Sequence, residues 1–179
     1  DKVLTMMQLE KSIGFRSSYN FVPERYSVSA TIRQELATNG FEVGVHGLNH
    51  DGKLFSTHAV FKNRVKKINK YAREWQAEGF RAPAMHHNLD WMLDLQVKYD
   101  SSTFDTDPFE PQADGVGTIF PFIVDGQNDK PGFVELPYSL PQDHALFIIL
   151  QEKDISIWQQ KLDWIYEQGG MALLNVHPD

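Results

Sequence analysis

The stretch Phe41-Glu-Val-Gly-Val-His46-Gly-Leu-Asn-His50-Asp-Gly52 carries the strongest indication of the fold. An apolar run ends there in two histidines that are four residues apart. A helix would place both imidazoles on one face, as in the zinc proteases, but three glycines disfavour a helix and Gly47 stands where those enzymes have their general-base Glu. We therefore expect a strand over residues 41–45 that delivers His46, with His50 in the loop that follows.

The rest of the chain alternates helix-like and strand-like segments joined by short loops. Apolar residues spaced three and four apart predict helices over residues 2–11, 29–38, 56–78, 88–96 and 155–168. Short apolar runs predict strands over residues 15–22, 41–45, 80–82, 98–104, 118–124, 133–137 and 171–176. In the first helix, Val3, Met6, Leu9 and Ile13 form the predicted buried face. The last strand, Met171–Val176, is almost wholly apolar and is predicted to be buried on both faces.

This alternation is typical of parallel βαβ units and predicts an α/β fold. About seven strands favour a distorted (β/α) barrel, with an open doubly wound sheet as the alternative. The chain has 179 residues, whereas a complete eightfold barrel has about 250. We therefore expect a single catalytic domain over residues 1–179 that lacks its first strand and is truncated at both ends.

Composition narrows the possible functions. The sequence is 41% hydrophobic and 23% charged, which is ordinary for one globular domain. The net charge of −7 argues against binding to nucleic acid or to an anionic membrane surface, and no apolar run approaches the length of a membrane span. The absence of cysteine excludes thiol chemistry and fits either redox compartment, so a cytoplasmic and a cell-envelope or secreted location both stay open.

Side chains able to do chemistry follow several of the predicted strands. His46 and His50 follow the strand over 41–45, Arg81 closes the next strand, Asp105 follows a later one, and His177 follows the last. The carboxyl ends of parallel strands meet at one edge of a sheet, where active sites form in α/β folds. Because imidazole is a common metal ligand, the two histidines that are four residues apart predict a metal site at this edge.

In this order the motifs resemble those of the polysaccharide deacetylases, the metal-dependent carbohydrate esterases of family four. His46-Gly-Leu-Asn-His50 resembles the metal-binding His-x-x-x-His of that family, and Gly79-Phe-Arg81-Ala-Pro83 resembles its Arg-x-Pro motif. Leu173-Leu-Asn-Val-His177 is similar to its closing Leu-x-x-His type of motif, and residues 14–22 look like its second strand.

The resemblance implies a mechanism. His46 and His50 would bind Zn²⁺ or another divalent ion together with an Asp, and the ion would polarise the acetyl carbonyl and acidify a bound water. An Asp base would take a proton from that water while Arg81 orients the base. His177 would donate a proton to the leaving amine or alcohol. Asp105 or Asp107 would tune His177, as a carboxylate of the family's fourth motif does.

One departure from the family pattern is large. The family's first motif is an Asp-Asp pair that supplies the base and the third metal ligand, and no Asp-Asp occurs in this chain. We expect that pair to lie upstream of Asp1 and the present piece to be inactive by itself. Three functions stay open: a metal-dependent deacetylase acting on an N- or O-acetylated polysaccharide, a hydrolase of a small non-sugar amide, and an inactive carbohydrate-binding relative. The proline-rich loop over residues 136–144 is predicted to contact the substrate.

Overall fold

The structure, a computed structural model, describes residues 2–105, 114–126 and 130–177. The regular elements, in chain order, are α1 (Lys2–Ser12), β1 (Ser18–Phe21), α2 (Ala30–Thr38), β2 (Glu42–His46), α3 (His58–Trp75), β3 (Gly79–Arg81), α4 (Leu89–Met92), β4 (Tyr99–Asp100), β5 (Phe122–Val124), β6 (Phe133–Glu135) and α5 (Ser156–Gln168). A 3₁₀ turn over Pro83–Met85 and a π-helical turn over His144–Ile149 complete the secondary structure of this part of the chain. None of its helices is both long and apolar enough to cross a bilayer.

The strands form one six-stranded sheet in the order β1-β2-β3-β4-β6-β5. The predicted α/β class is confirmed, since β1, β2, β3, β4 and β6 pair in parallel with helices in the connections between the first four. The expected pattern of parallel βαβ units does not extend to β5, which runs antiparallel to β6. The connection over residues 125–132 is too short for the crossover that a parallel pair requires.

The seventh predicted strand is not formed. Within the described ranges, residues 171–177 do not form a strand, and the six strands form a sheet in which no closure into a barrel is seen. Leu173 instead makes irregular hydrogen bonds to the segment that contains Ser139 and Leu140. The Leu173 carbonyl accepts from the backbone N–H groups of both residues, and the Leu173 N–H donates to the Ser139 hydroxyl. The predicted full burial is also wrong, because the flanking residues are partly exposed and Val176 retains 39% of its accessible surface.

Helix α3 packs the main core against one face of the sheet. The Thr57 hydroxyl accepts from the Val60 N–H and caps its N-terminus. Buried side chains recur at the predicted spacing and meet apolar side chains of three strands; they are Phe61, Val65, Ile68 and Ala72 of the helix with Val45, Phe80 and Phe133 of the sheet. The helix is shorter than predicted, because Gln76 adopts the left-handed conformation (φ 56°) and ends it, so that Gly79 begins β3 instead.

The buried face of α1 differs from the predicted one. Leu9 and Ile13, predicted to be buried, are 57% and 61% exposed, whereas Met7 and Glu10 are buried. The Glu10 carboxylate tolerates this position because the Tyr19 hydroxyl of β1 donates to it over 2.7 Å. Burial and this carboxylate raise the pKa of Tyr19, so the hydroxyl stays a donor. A hydropathy pattern cannot identify a charged residue that is buried through a partner of this kind.

The fold predicts unequal costs for two aliphatic truncations in helices. Ile68→Ala removes a fully buried side chain from α3 and is expected to lower the free energy of unfolding by about 2–5 kcal/mol, from lost burial and the cavity left behind. Leu162→Ala is the matched control, because Leu162 is 46% exposed in α5 and its truncation is expected to cost less than about 1 kcal/mol. Urea denaturation of both variants measures the difference, and equal costs would contradict the proposed core.

Candidate active site

The end of β2 places the first histidine beside the end of β3. The parallel register pairs His46 with Arg81, and the His46 Nδ1–H donates to the Arg81 backbone carbonyl over 2.9 Å. The pKa of His46 is lowered to about 4, mainly by burial. The bond to the Arg81 carbonyl opposes this shift, and the nearby charges of His50, Arg81 and His177 add to it. The imidazole is therefore neutral near pH 7, with Nε2 free of its proton and available as a ligand.

The second histidine lies in a tight turn directly after β2. His50 has φ 49°, and its ring centroid is 5.1 Å from that of His46. The Arg25 guanidinium donates to the His50 carbonyl over 2.9 Å and so holds the turn from outside. The two imidazoles are thus close enough for one small cation to lie between them.

Gly47 joins this turn to the Arg-x-Pro segment. It has φ 64°, a conformation that side-chain-bearing residues rarely adopt, and a Cβ placed there would lie 2.4 Å from Pro83 Cγ. The absence of a side chain at Gly47 therefore lets the histidine turn pack directly on Pro83.

Arg81 is buried and its guanidinium is only partly satisfied. Its Nε donates to the Ser101 carbonyl over 2.9 Å, and its guanidinium carbon is 5.8 Å from the centre of the Tyr138 ring. Among the described residues, its Nη2 has no hydrogen-bond partner. Burial lowers the pKa of Arg81, and the negative charge of Asp100 is the largest opposing influence.

A carboxylate that the sequence analysis did not select holds His177. Asp143 Oδ1 is 2.7 Å from His177 Nδ1, and Asp143 Oδ2 accepts from the His177 backbone N–H over 2.7 Å. Asp105 does not contact His177; its carboxylate is nearly buried and pairs with Lys161 at 2.9 Å. Asp107 lies outside the described residues. The sequence did contain a signal, because Asp143 stands in the loop over residues 136–144 that is predicted to contact the substrate.

A single open cavity of about 830 Å³ brings the two halves of the site together. His46 and His50 line one part of it, while His177 and Asp143 line another. The lining also includes two further histidines and an apolar turn, which are His86, His144 and residues 147–149. Neither Arg81 nor Asp105 lines the cavity. Arg81 is connected to it through the carbonyl that orients His46.

The described residues supply only part of a metal site. The pair His46 and His50 fits two corners of a small divalent ion, because both rings lie close together and His46 is neutral. Over residues 2–105, 114–126 and 130–177, no group of three or more histidine, cysteine or acidic side chains is arranged to hold a metal. The structure thus brings the two predicted ligands side by side, and no third ligand joins them among the described residues.

At the level of sequence, no family model and no curated protein matches this chain. Its fold does match solved structures. A protein of Mycobacterium smegmatis assigned as a polysaccharide deacetylase superposes with a TM-score of 0.75 at 19% identity, over 99% of this chain and 63% of that chain. The chain has the polysaccharide deacetylase fold. The resemblance read from the motifs is thereby confirmed at the level of fold.

Two further structures show the breadth of activities associated with this fold. A Pseudomonas aeruginosa PAO1 protein assigned as a polysaccharide deacetylase has a TM-score of 0.60 at 15% identity, over 98% of this chain and 57% of that chain. The allantoinase PuuE has a TM-score of 0.62 at 13% identity, with the same coverage of 98% and 57%. This chain thus spans less than two thirds of the length of each of these three structures. At such identities the likeness establishes the fold alone, and the activity has to be inferred from the residues of the site.

The contact between Gly47 and Pro83 predicts a position-specific cost of adding a methyl group. Gly47→Ala is expected to lower the free energy of unfolding by about 1–2 kcal/mol from the positive φ and by a further 1–3 kcal/mol or so from the clash with Pro83. Gly52→Ala is the control, because Gly52 has φ 71° with nothing within 4 Å of the added carbon. Chemical denaturation should show the larger loss at Gly47, and equal losses would rule out the close packing of the turn on Pro83.

Proposed function

We propose that this chain belongs to a metal-dependent hydrolase that removes acetyl groups from an N- or O-acetylated polysaccharide. One observation carries the proposal: the pair His46 and His50 and a histidine–carboxylate pair line the same open cavity in a chain with the polysaccharide deacetylase fold. Such a cavity offers a cation site and a proton donor to one substrate. These are the two functions that hydrolysis of an acetyl amide or ester requires.

His46 and His50 are the proposed metal ligands. The carbonyl of Arg81 fixes the tautomer of His46, which leaves Nε2 as the donor to Zn²⁺ or another divalent ion. A third ligand would have to come from outside the described residues. When bound, the ion would act as a Lewis acid toward the acetyl carbonyl and lower the pKa of water.

His177 is the proposed proton donor and Asp143 its positioning residue. The Asp143 carboxylate accepts from Nδ1–H, which keeps Nε2 as the ring atom that carries a second proton and gives it to the leaving amine or alcohol. Asp143 also accepts from the His177 backbone, so one side chain fixes both the ring and its main chain. In this proposal, Asp143 takes the role that the sequence analysis gave to Asp105.

Arg81 has a supporting role in this proposal. Its buried Nη2 is an unused donor, which suits a carboxylate such as the catalytic base of the family. Its carbonyl meanwhile orients His46. Arg81 would thus contact the base through its guanidinium and the metal ligand His46 through its backbone carbonyl.

Zinc binding tests the proposed ligands. His46→Ala is expected to abolish stoichiometric binding of Zn²⁺, because it removes one of two nitrogen donors. His177→Ala is the matched control, since it lines the same cavity and should retain the bound ion. Isothermal titration with Zn²⁺ at micromolar concentration measures both. The absence of binding by the unmodified protein, or loss of the ion in both variants, would contradict the assignment.

Turnover tests the proposed histidine–carboxylate pair. In a form of the protein that also carries the catalytic Asp pair, Asp143→Asn is expected to lower kcat for acetate release from acetylated oligosaccharides by about 10²–10⁴-fold, because the amide cannot hold His177 in the donating state. Asp105→Asn is the control and should leave kcat nearly unchanged, since this carboxylate pairs with Lys161. The reverse order of effects would return the role to Asp105. Release of product from a small non-sugar amide, without acetate release, would favour the alternative substrate class.

A further inference from the structure

Two acidic side chains are fully buried next to each other under the site. Asp100 and Glu135 each have 0% exposure, and the parallel register pairs them directly across β4 and β6. Paired residues of neighbouring strands extend from the same face of a sheet, at the strand spacing of about 4.8 Å. Two ionised carboxylates at such a spacing, with no water around them, would repel strongly.

Among the described residues, the hydrogen bonds and ion pairs show no cation in direct contact with either acid. Asp100 accepts from the hydroxyl of Ser102 over 2.6 Å and from its backbone N–H over 2.8 Å. Glu135 Oε1 accepts from the hydroxyl of Thr103 over 2.6 Å and from its backbone N–H over 3.0 Å. Within the described part of the chain, Glu135 Oε2 has no donor. That oxygen is therefore the acceptor available to a proton on Asp100.

The charges around Asp100 and Glu135 also favour one proton on the pair. Burial raises the pKa of Asp100 well above its usual range, and the neighbouring Glu135 carboxylate raises it further. Asp100 and Glu135 are also among the charges that favour the cationic form of Arg81, which is itself buried. With one proton on the pair, one negative charge faces one positive charge and the buried group is neutral. With no proton, the group would carry an excess negative charge away from water.

We propose that Asp100 and Glu135 hold one proton between them and together supply the single negative charge that balances Arg81. The proton lies on Asp100 and is donated to Glu135 Oε2. The pair thereby acts as a positioning unit for Arg81, whose carbonyl orients His46 and whose Nε donates to Ser101. The shared proton concerns only the described side chains, and its link to turnover rests on the proposed function.

Infrared spectroscopy of the protein at neutral pH tests the shared proton without any activity. We expect one protonated-carboxyl band in the unmodified protein. Asp100→Asn and Glu135→Gln should each abolish the band, because the remaining acid alone balances Arg81 and ionises. Glu78→Gln is the control, since Glu78 has an exposed side chain and its loss should leave the band in place. A missing band in the unmodified protein, or a band that persists in either single variant, would overturn the proposal.

Stability of the double variant tests the charge balance independently. The double variant Asp100→Asn with Glu135→Gln leaves Arg81 without a counter-charge. The folding equilibrium constant of the double variant should therefore be at least about a hundredfold lower than the value expected if the effects of the two single substitutions multiplied. Adding Arg81→Met removes the unbalanced cation and should restore much of that loss, even if the double variant is mostly unfolded. Additive single effects, or a further loss in the triple variant, would show that the acids act only by shape and overturn the proposal. Because both measurements are independent of acetate release, failure of the proposed function leaves them interpretable.

Discussion

The hydrogen bond from His46 Nδ1–H to the Arg81 carbonyl is the contact on which the site geometry depends. It exists because β2 and β3 pair in parallel with these two residues in register. One bond fixes the tautomer of the histidine, and the same register brings Gly47 to Pro83. A shift of one residue between these strands would turn His46 toward the opposite face and separate the two motifs. The strand pairing is thus a chemical constraint as well as a structural one.

The other half of the site is built differently. His177 does not follow a regular strand; it stands at the end of a segment that contacts residues 139–143 through scattered hydrogen bonds. The Asn175 amide donates to Gln142, and Asp143 then binds His177 twice. Side-chain contacts here replace the regular ladder that positions His46. The two halves of the site are therefore held by different kinds of interaction, although they share one cavity.

Much of the fold could be predicted from sequence where local pattern and tertiary packing agree. The spacing of Phe61, Val65 and Ile68 predicted α3 because the same residues form the main core. The hydropathy pattern failed at Glu10, which is buried because a polar partner satisfies its carboxylate. It also failed at Met171–Val176, which is an apolar run that does not form strand hydrogen bonds. Within the site, His46 and Arg81 could be placed together because strand ends converge. The contact of Asp143 with His177 could not, since it depends on the path of an irregular loop and joins residues far apart in the chain.

The exposure of His177 has a further consequence for how its proton is replaced. His46 is partly buried, whereas the His177 side chain keeps 50% of its accessible surface. An imidazole in contact with bulk solvent exchanges protons with water and buffer directly, so a hydrolase built on this site would need no internal relay to recharge its donor after each cycle. The supply of protons would then follow the composition of the surrounding medium.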